Sequence, residues 1–297
     1  KTVQTNVLDL HRLPITRKMP LIMPATSTIH EAIVAATTFL TSQGVGSARL
    51  DAELLMCHTL KRDRAWLLAH PEFELNQFQA ADFEAFISRR SERIPLVHLT
   101  GIREFYGLEF EVTPDVLTPR VETEQMVEWA VGYAPPSSRL IDIGTGSGAI
   151  ALAIAAHRPD LSITATDLSE RELTVARRNA RRHGLALDLV EADLWAGLPA
   201  GARYETVVTN LPYLRDDAAA ELMPEVQREP TVALFGGSDG LDLYRRFLAG
   251  LGAHLVPGGF LFTECDPWQH EALTLEAASY GLTPVEQGYF ILGFRLP

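Results

Sequence analysis

Cysteine is nearly absent from this 297-residue chain, which has only Cys57 and Cys265. Two cysteines cannot build a disulfide framework, and they fit small core residues in a reducing cytoplasm. Long apolar runs are also missing. The best, Ala149 to Ala156, is far short of the ~20 residues a membrane helix needs, so no membrane partner is expected. Lys1 to Met23 is basic but lacks the apolar core of a secretory signal. Positive charge is scarce, with 26 Lys and Arg against 38 Asp and Glu, a net of −12. The shortage is uneven: residues 1–95 carry 11 against 10, and the remainder 15 against 28. An acidic carboxyl-terminal part is a poor footprint for nucleic acid, where phosphate neutralisation supplies most of the affinity, so no direct nucleic-acid contact is expected. The one basic cluster, ARRNARRH, sets Arg177 over Arg181 and Arg178 over Arg182 at helical spacing and reads as a solvated helix face. There is no internal repeat, no low-complexity segment and no expected metal site.

What is present is a soluble globular pattern, 46% hydrophobic with a mean hydropathy of +0.03. Residues 1–24 read as a tail. From 25 to 95 the periodicity is helical, opening on Thr28-Ile-His-Glu31 with capping-box spacing and continuing through ARLDAELLMCHTL and QFQAADFEAFISRRSER. Residues 96–118 alternate Phe110 with Val112 between turn glycines Gly101 and Gly107 and read as a β-hairpin linker. From 119 to 297 strands and helices alternate, which implies a mostly parallel sheet with helices on both faces. The last stretch, GLTPVEQGYFILGFRLP, has the alternation of an antiparallel strand pair at the sheet edge.

Two features of that α/β part carry chemistry. RLIDIGTGSGAI runs from strand to helix through Gly144, Gly146 and Gly148, where bare backbone and free N–H groups can approach a ligand. The turn alone does not choose a ligand, since Gly144-x-Gly146-x-x-Ala149 also satisfies the dinucleotide fingerprint of an oxidoreductase. Asp167 closes the next strand 19 residues after Gly148, placed to accept hydrogen bonds from both ribose hydroxyls of an adenosine. Asp193 ends the third strand, where it can meet an adenine amine while Leu194 packs on the ring. This series suits S-adenosylmethionine, which has no pyrophosphate to hold. Asp142, inside the first strand, reads as an orienting group near the methionine part.

The stretch VVTNLPYL ends a fourth strand and sends Asn210-Leu211-Pro212-Tyr213 into the same crevice. An amide nitrogen is a poor nucleophile because its lone pair is delocalised. The Asn210 side-chain oxygen and the Leu211 carbonyl can both accept hydrogen bonds from an NH2 group, orienting its nitrogen for attack. Tyr213 can stack on a flat amide or base. The same pocket would serve adenine N6, so a methylase acting on an RNA base is the enzymatic alternative; a non-catalytic protein that keeps the fold is another.

The chain resembles the HemK/PrmC family of protein-glutamine N5-methyltransferases over residues 28–265. The likeness rests on ARLDAELLM, LTGIREFYGLEFEV, LTPRVETE, IDIGTGSGAIALAIA, NLPYL and, most specifically, MPEVQREPTVALFGGSDGLDLYRRFL. It implies a Rossmann-like class I methyltransferase sheet behind an N-terminal helical domain. Gly144, Thr145, Gly146, Ser147 and Gly148 would border the methionine and ribose of S-adenosylmethionine, Asp167 the ribose, and Asp193 with Leu194 the adenine. Asn210, Leu211, Pro212 and Tyr213 would hold the substrate, with Asn210 and Tyr213 catalytic and Asn210 also touching the cofactor. Phe105, Pro119-Arg120 and Thr123-Glu124 would lie near the pocket. The implied substrate is the glutamine of the Gly-Gly-Gln loop in class I peptide chain release factors, in the cytoplasm, with the rest of that partner docking on the helical domain. A related enzyme acting on glutamine in another protein would look the same.

Three positions depart from the family's pattern. Leu211 and Val121 stand where proline is usual, and the tail GYFILGFRLP lacks a common Lys-Asp pair. At Leu211 the fixed φ of proline is lost and a backbone N–H is gained.

Overall fold

The computed structural model describes residues 27–297; the tail read at 1–24 lies outside them. The chain divides into two compact units, the first ending at Arg93 and the second running from Ile94 to Pro297.

In the first unit the described residues form α1 (Ile29–Ser42), α2 (Ala48–Leu60), α3 (Arg64–Ala69) and α4 (Gln77–Ser91). The capping box is real: Glu31 N donates to the Thr28 hydroxyl at 3.3 Å, and Thr28 N donates to the Glu31 carboxylate at 2.9 Å. Asn76 and Gln79 do the same for α4. Ile29, Ile33, Ala36 and Leu40 make the buried stripe of α1, spaced as one helical face. A buried Arg90–Asp51 pair at 2.7 Å ties α4 to α2.

The second unit opens with α5 (Leu96–Thr100), then β1 (Ile102–Phe105) paired antiparallel with β2 (Leu108–Glu111). Their two-residue turn has positive φ at both Tyr106 (50°) and Gly107 (77°), the geometry whose twist matches a hairpin. Next come α6 (Glu124–Tyr133), β3 (Arg139–Ile143), α7 (Ala149–His157), β4 (Ser162–Asp167) and α8 (Glu170–His183). They are followed by β5 (Asp188–Glu191), β6 (Tyr204–Thr209), α9 (Asp242–His254), β7 (Leu255–Glu264), α10 (His270–Ser279), β8 (Thr283–Gln287) and β9 (Ile291–Arg295).

Among the described residues the large sheet has seven strands in the order β5-β4-β3-β6-β7-β9-β8. Every pairing from β5 to β7 is parallel, and β9 runs antiparallel to both its neighbours. The expected terminal pair is therefore at the edge, with β9 inserted between β7 and β8. A dinucleotide-binding sheet of order 3-2-1-4-5-6 has no such reversed strand.

Strand alternation sets two large apolar clusters of the second unit on opposite faces of the sheet. Leu140, Val208 and Phe262 face one, with Phe110, Met126 and Leu152; Ile141, Val207 and Leu261 face the other, with Leu211 and Phe247. Helix α7 is apolar all round because it is buried all round, from Ala149 to Ala155.

The stretch read as a hairpin linker is built into the second unit. Arg178 and Arg182 on α8 pair with Glu111 and Glu109 of β2, at 2.9 and 2.8 Å. Arg178, Arg181 and Arg182 are exposed, as read, and two of them also clasp the hairpin; the acids they meet lie some 70 residues earlier, beyond the reach of helical periodicity.

Candidate active site

Parallel strands end on one edge of a sheet, and the order reverses between β3 and β6, which opens a crevice there. The glycine turn leaves β3 into this crevice. Gly144, Gly146 and Gly148 all have positive φ. At Gly148 a Cβ would also come within 3.2 Å of Ala176, so only glycine lets α7 start this close to α8. The turn is held from several sides. Gly144 N and Thr145 N donate to Thr166 O at 2.9 and 2.8 Å. The Thr145 hydroxyl donates to Asp142 at 2.7 Å. The buried Asn179 amide donates to Ser147 O (2.9 Å) and Glu111 O and accepts from Glu111 N, so one side chain joins the turn to the hairpin.

Asp167 ends β4 with each carboxylate oxygen meeting a backbone donor, Gly146 N at 2.9 Å and Ser169 N at 3.0 Å. Glu172, one turn into α8, faces the same cavity. Burial, followed by the Asp167 and Asp115 charges, pushes its carboxyl up to about 8. Burial pushes Asp142 up to about 7, against the Thr145 hydroxyl. Asp142 lines none of the cavities described below; it shapes the turn through Thr145. Asp193 accepts from Arg246 at 2.8 Å. Leu194 is held at positive φ (55°) beside Trp195, which stacks on Phe247 and His254 and donates to Phe247 O at 2.7 Å.

These residues enclose a cavity of about 300 Å³ lined by Gly144, Asp167, Glu172, Asp193, Leu194 and Asn210 among others. A second, of about 280 Å³, is lined by Arg120, Asn210, Tyr213, Met223, Leu234 and Glu264 among others. A smaller one of about 50 Å³ reaches Phe105, Pro119, Thr145 and Ser147. Leu117 and Asn210 line all three, so Asn210 stands where the spaces meet. Leu211 is buried, its side chain against Gly144 and the second core, and Pro212 borders the larger cavity.

Glu264 closes β7 next to Asn210, since Thr209 and Thr263 are register partners. Its buried carboxylate accepts from Thr123 Oγ1 at 2.6 Å and from the Tyr213 hydroxyl at 3.1 Å. Burial raises its pKa, and the neighbouring Thr123, Tyr213 and Asn210 side chains oppose the rise. Burial and the Glu264 charge hold the Tyr213 phenol well above its ordinary value. The Tyr213 carbonyl accepts from Gln269 at 2.9 Å.

The LTPRVETE segment gains definite partners. Arg120 pairs with the buried Glu229 at 2.8 Å, Thr123 holds Glu264, and the Glu124 carboxylate accepts from Tyr106 N at 2.8 Å. Val121 is exposed, so the proline usual there is not needed for packing. Glu172, Glu229 and Glu264 were not singled out in the sequence. Glu264 had a readable signal: it is an acid closing an apolar strand, GFLFTE, as Asp167 and Asp193 close theirs.

The larger cavity has carboxylates and, among its described lining residues, no basic side chain. It suits a ligand with positive charge and hydroxyls and is ill suited to a pyrophosphate. S-adenosylmethionine, with its ammonium, sulfonium and ribose, fits that donor set.

Family models match as the PrmC N-terminal domain over residues 31–101 and the methyltransferase small domain over 130–229. Among solved structures, a 16S rRNA N2-guanine methyltransferase of Thermus thermophilus, in complex with S-adenosylmethionine and guanosine, aligns with a TM-score of 0.50 at 18% identity. That alignment covers 66% of this chain and 50% of that one, and it shows the fold. Fold and site together define a class I methyltransferase that uses S-adenosylmethionine. Two release factor glutamine methyltransferases set the family. That of Moorella thermoacetica is 41% identical over 264 residues, covering 88% of this chain and 93% of its own. That of Geobacter sulfurreducens is 38% identical over 251 residues, covering 84% and 88%. The chain belongs to the release factor glutamine methyltransferase family.

Proposed function

We propose that this protein methylates the side-chain amide N5 of a glutamine in the Gly-Gly-Gln loop of a class I peptide chain release factor. The position of Asn210, at the meeting of a carboxylate-lined cavity and a second cavity closed by Tyr213 and Glu264, carries the reading. It is supported by the names of relatives that match along most of their length.

On this reading Asp167 holds the ribose hydroxyls, Asp193 and Leu194 border the adenine, and Gly144 to Gly148 border the ribose and methionine. When bound, S-adenosylmethionine supplies an electrophilic methyl group. The glutamine amide enters the second cavity between Tyr213 and Arg120. The Asn210 side-chain oxygen and the Leu211 carbonyl accept its two N–H bonds. That orients the nitrogen and favours the positive charge it develops. No base is needed before attack, since the proton leaves to solvent afterwards. The Leu211 carbonyl already receives a long 3.4 Å contact from the Tyr244 hydroxyl, and its second lone pair serves the substrate. The helical first unit binds the body of the partner, and a cytoplasmic setting goes with that substrate.

Transfer of labelled methyl to an unmodified release factor tests this, with its loop Gln→Ala variant as control. The expected result is label on the wild-type factor and none on the variant. Absence of label with cofactor binding intact overturns the reading and turns the search to RNA and other proteins.

A further inference from the structure

The glutamate of a capping box is present in α8, but its hydrogen bond is not made. Glu172 lies three residues after the N-cap Ser169, and the Ser169 hydroxyl accepts from Glu172 N at 3.4 Å. In a complete box the glutamate side chain would accept from the N–H of the N-cap residue. Here Ser169 N donates to Asp167 Oδ1 instead, at 3.0 Å. Glu172 is thereby released from the cap. Its carboxyl has no hydrogen-bond partner among the described residues.

The same carboxyl is buried, with a relative exposure of 7%, and it lines the larger cavity together with Gly146, Asp167 and Ser169. A Cβ at Gly146 would stand 3.6 Å from Glu172 Oε2. Gly146 N donates to Asp167 Oδ2 at 2.9 Å, so one residue of the glycine turn lies against both acids. Burying an acid without a partner is costly. Buried Asp51 has Arg90 and buried Glu229 has Arg120, but no described basic side chain lines the cavity at Glu172. A ligand with hydroxyl donors supplies what the protein does not.

Asp167 is already partly used. Each of its oxygens accepts one backbone N–H, which leaves one further lone pair apiece. A ribose diol brings two O–H donors to this corner of the cavity. We propose that Glu172 is a second ribose-binding residue, accepting a hydrogen bond from one hydroxyl of S-adenosylmethionine while Asp167 accepts from the other. A carboxyl can accept in either protonation state. The proposal rests on the placement of the ribose at Asp167, and it makes Glu172 a determinant of preference for ribose over deoxyribose.

Calorimetric binding of S-adenosylhomocysteine and of its 2′-deoxy and 3′-deoxy forms tests this without turnover. Glu172→Met keeps the length of the side chain and removes its acceptors. Folding is not at risk, because an apolar group replaces a buried acid that has no partner. The variant should bind S-adenosylhomocysteine roughly tenfold more weakly than wild type, the scale of one hydrogen bond left unmade. One deoxy form lacks the hydroxyl that Glu172 accepts, and the two proteins should bind it within about twofold of each other. The other deoxy form should show the full loss.

Equal weakening of all three ligands would reduce Glu172 to a general structural effect and overturn the proposal, as would an unweakened S-adenosylhomocysteine. The wild-type series checks the placement of the ribose separately. Each deoxy form should bind wild type more weakly than the parent does. Wild type binding all three alike would overturn the placement at Asp167 as well. Discrimination by wild type, with uniform weakening in Glu172→Met, would overturn the second acceptor alone.

Discussion

Arg120 donates to Glu229 across 2.8 Å and so joins the strap ahead of α6 to the segment that follows NLPY, 109 residues later in the chain. Glu229 is almost fully buried and Arg120 about one-third exposed. Arg120 lines the cavity that also contains Asn210 and Tyr213. Arg120→Ala removes the hydrogen-bond donor that meets this buried carboxylate. A stability loss of about 1–3 kcal/mol is expected, the cost of an undersatisfied buried acceptor. Chemical denaturation would measure it. Glu229→Gln should cost less, and equal losses would show that the charge pairing is unimportant.

Asn210→Ala should lower kcat/KM roughly 100- to 1000-fold, the usual effect of deleting one polar group aimed at developing charge. Cofactor affinity by calorimetry should stay close to wild type, since Asp167, Asp193 and the glycine turn are untouched. Collapse of cofactor binding in this variant would mean that Asn210 chiefly holds the cofactor.

Leu211→Pro restores the residue usual in the family. Turnover on a release factor should be kept or raised, because the carbonyl remains and φ is fixed. Stability should nevertheless fall by about 1–3 kcal/mol, since Leu211 fills part of the second core against Ile143 and Tyr244. Loss of activity without loss of stability would mark a pocket specialised for another substrate.

The Glu172 carboxyl has its pKa raised from 4.5 to about 8 by burial first and neighbouring carboxylates second. A raised acid holds its proton more tightly in the folded state, so its contribution is complete below pH 4.5 and is lost as pH rises towards about 8. Without cofactor, wild-type melting temperature should therefore fall relative to Glu172→Gln between about pH 5 and pH 8. Bound S-adenosylmethionine, being cationic, should shrink that difference. Parallel melting curves for the two proteins across this range would show that Glu172 does not titrate there.

Much of the site was legible because it is built at strand ends. The glycines of GTGSG, Asp167 and NLPYL each sit where an apolar run stops, and a parallel sheet places all such stops on one edge. The helical front and the reversed last strand were legible for a similar reason, since capping and alternation are local signals. The hairpin's attachment was not. Its acids Glu109 and Glu111 meet Arg182 and Arg178 of α8, and no local pattern relates those positions.

By itself the sequence determined the order of elements, the turn that must be glycine and the residue types at the crevice, since each depends on neighbours within a few residues. Tertiary structure decided which of these side chains are brought together. The pairing of β6 with β7 brings Glu264 to Asn210, and the fold of the following segment brings Glu229 to Arg120. Such contacts join groups far apart in the chain, and burial is what makes them matter: an unpaired carboxylate is costly only where water has been excluded.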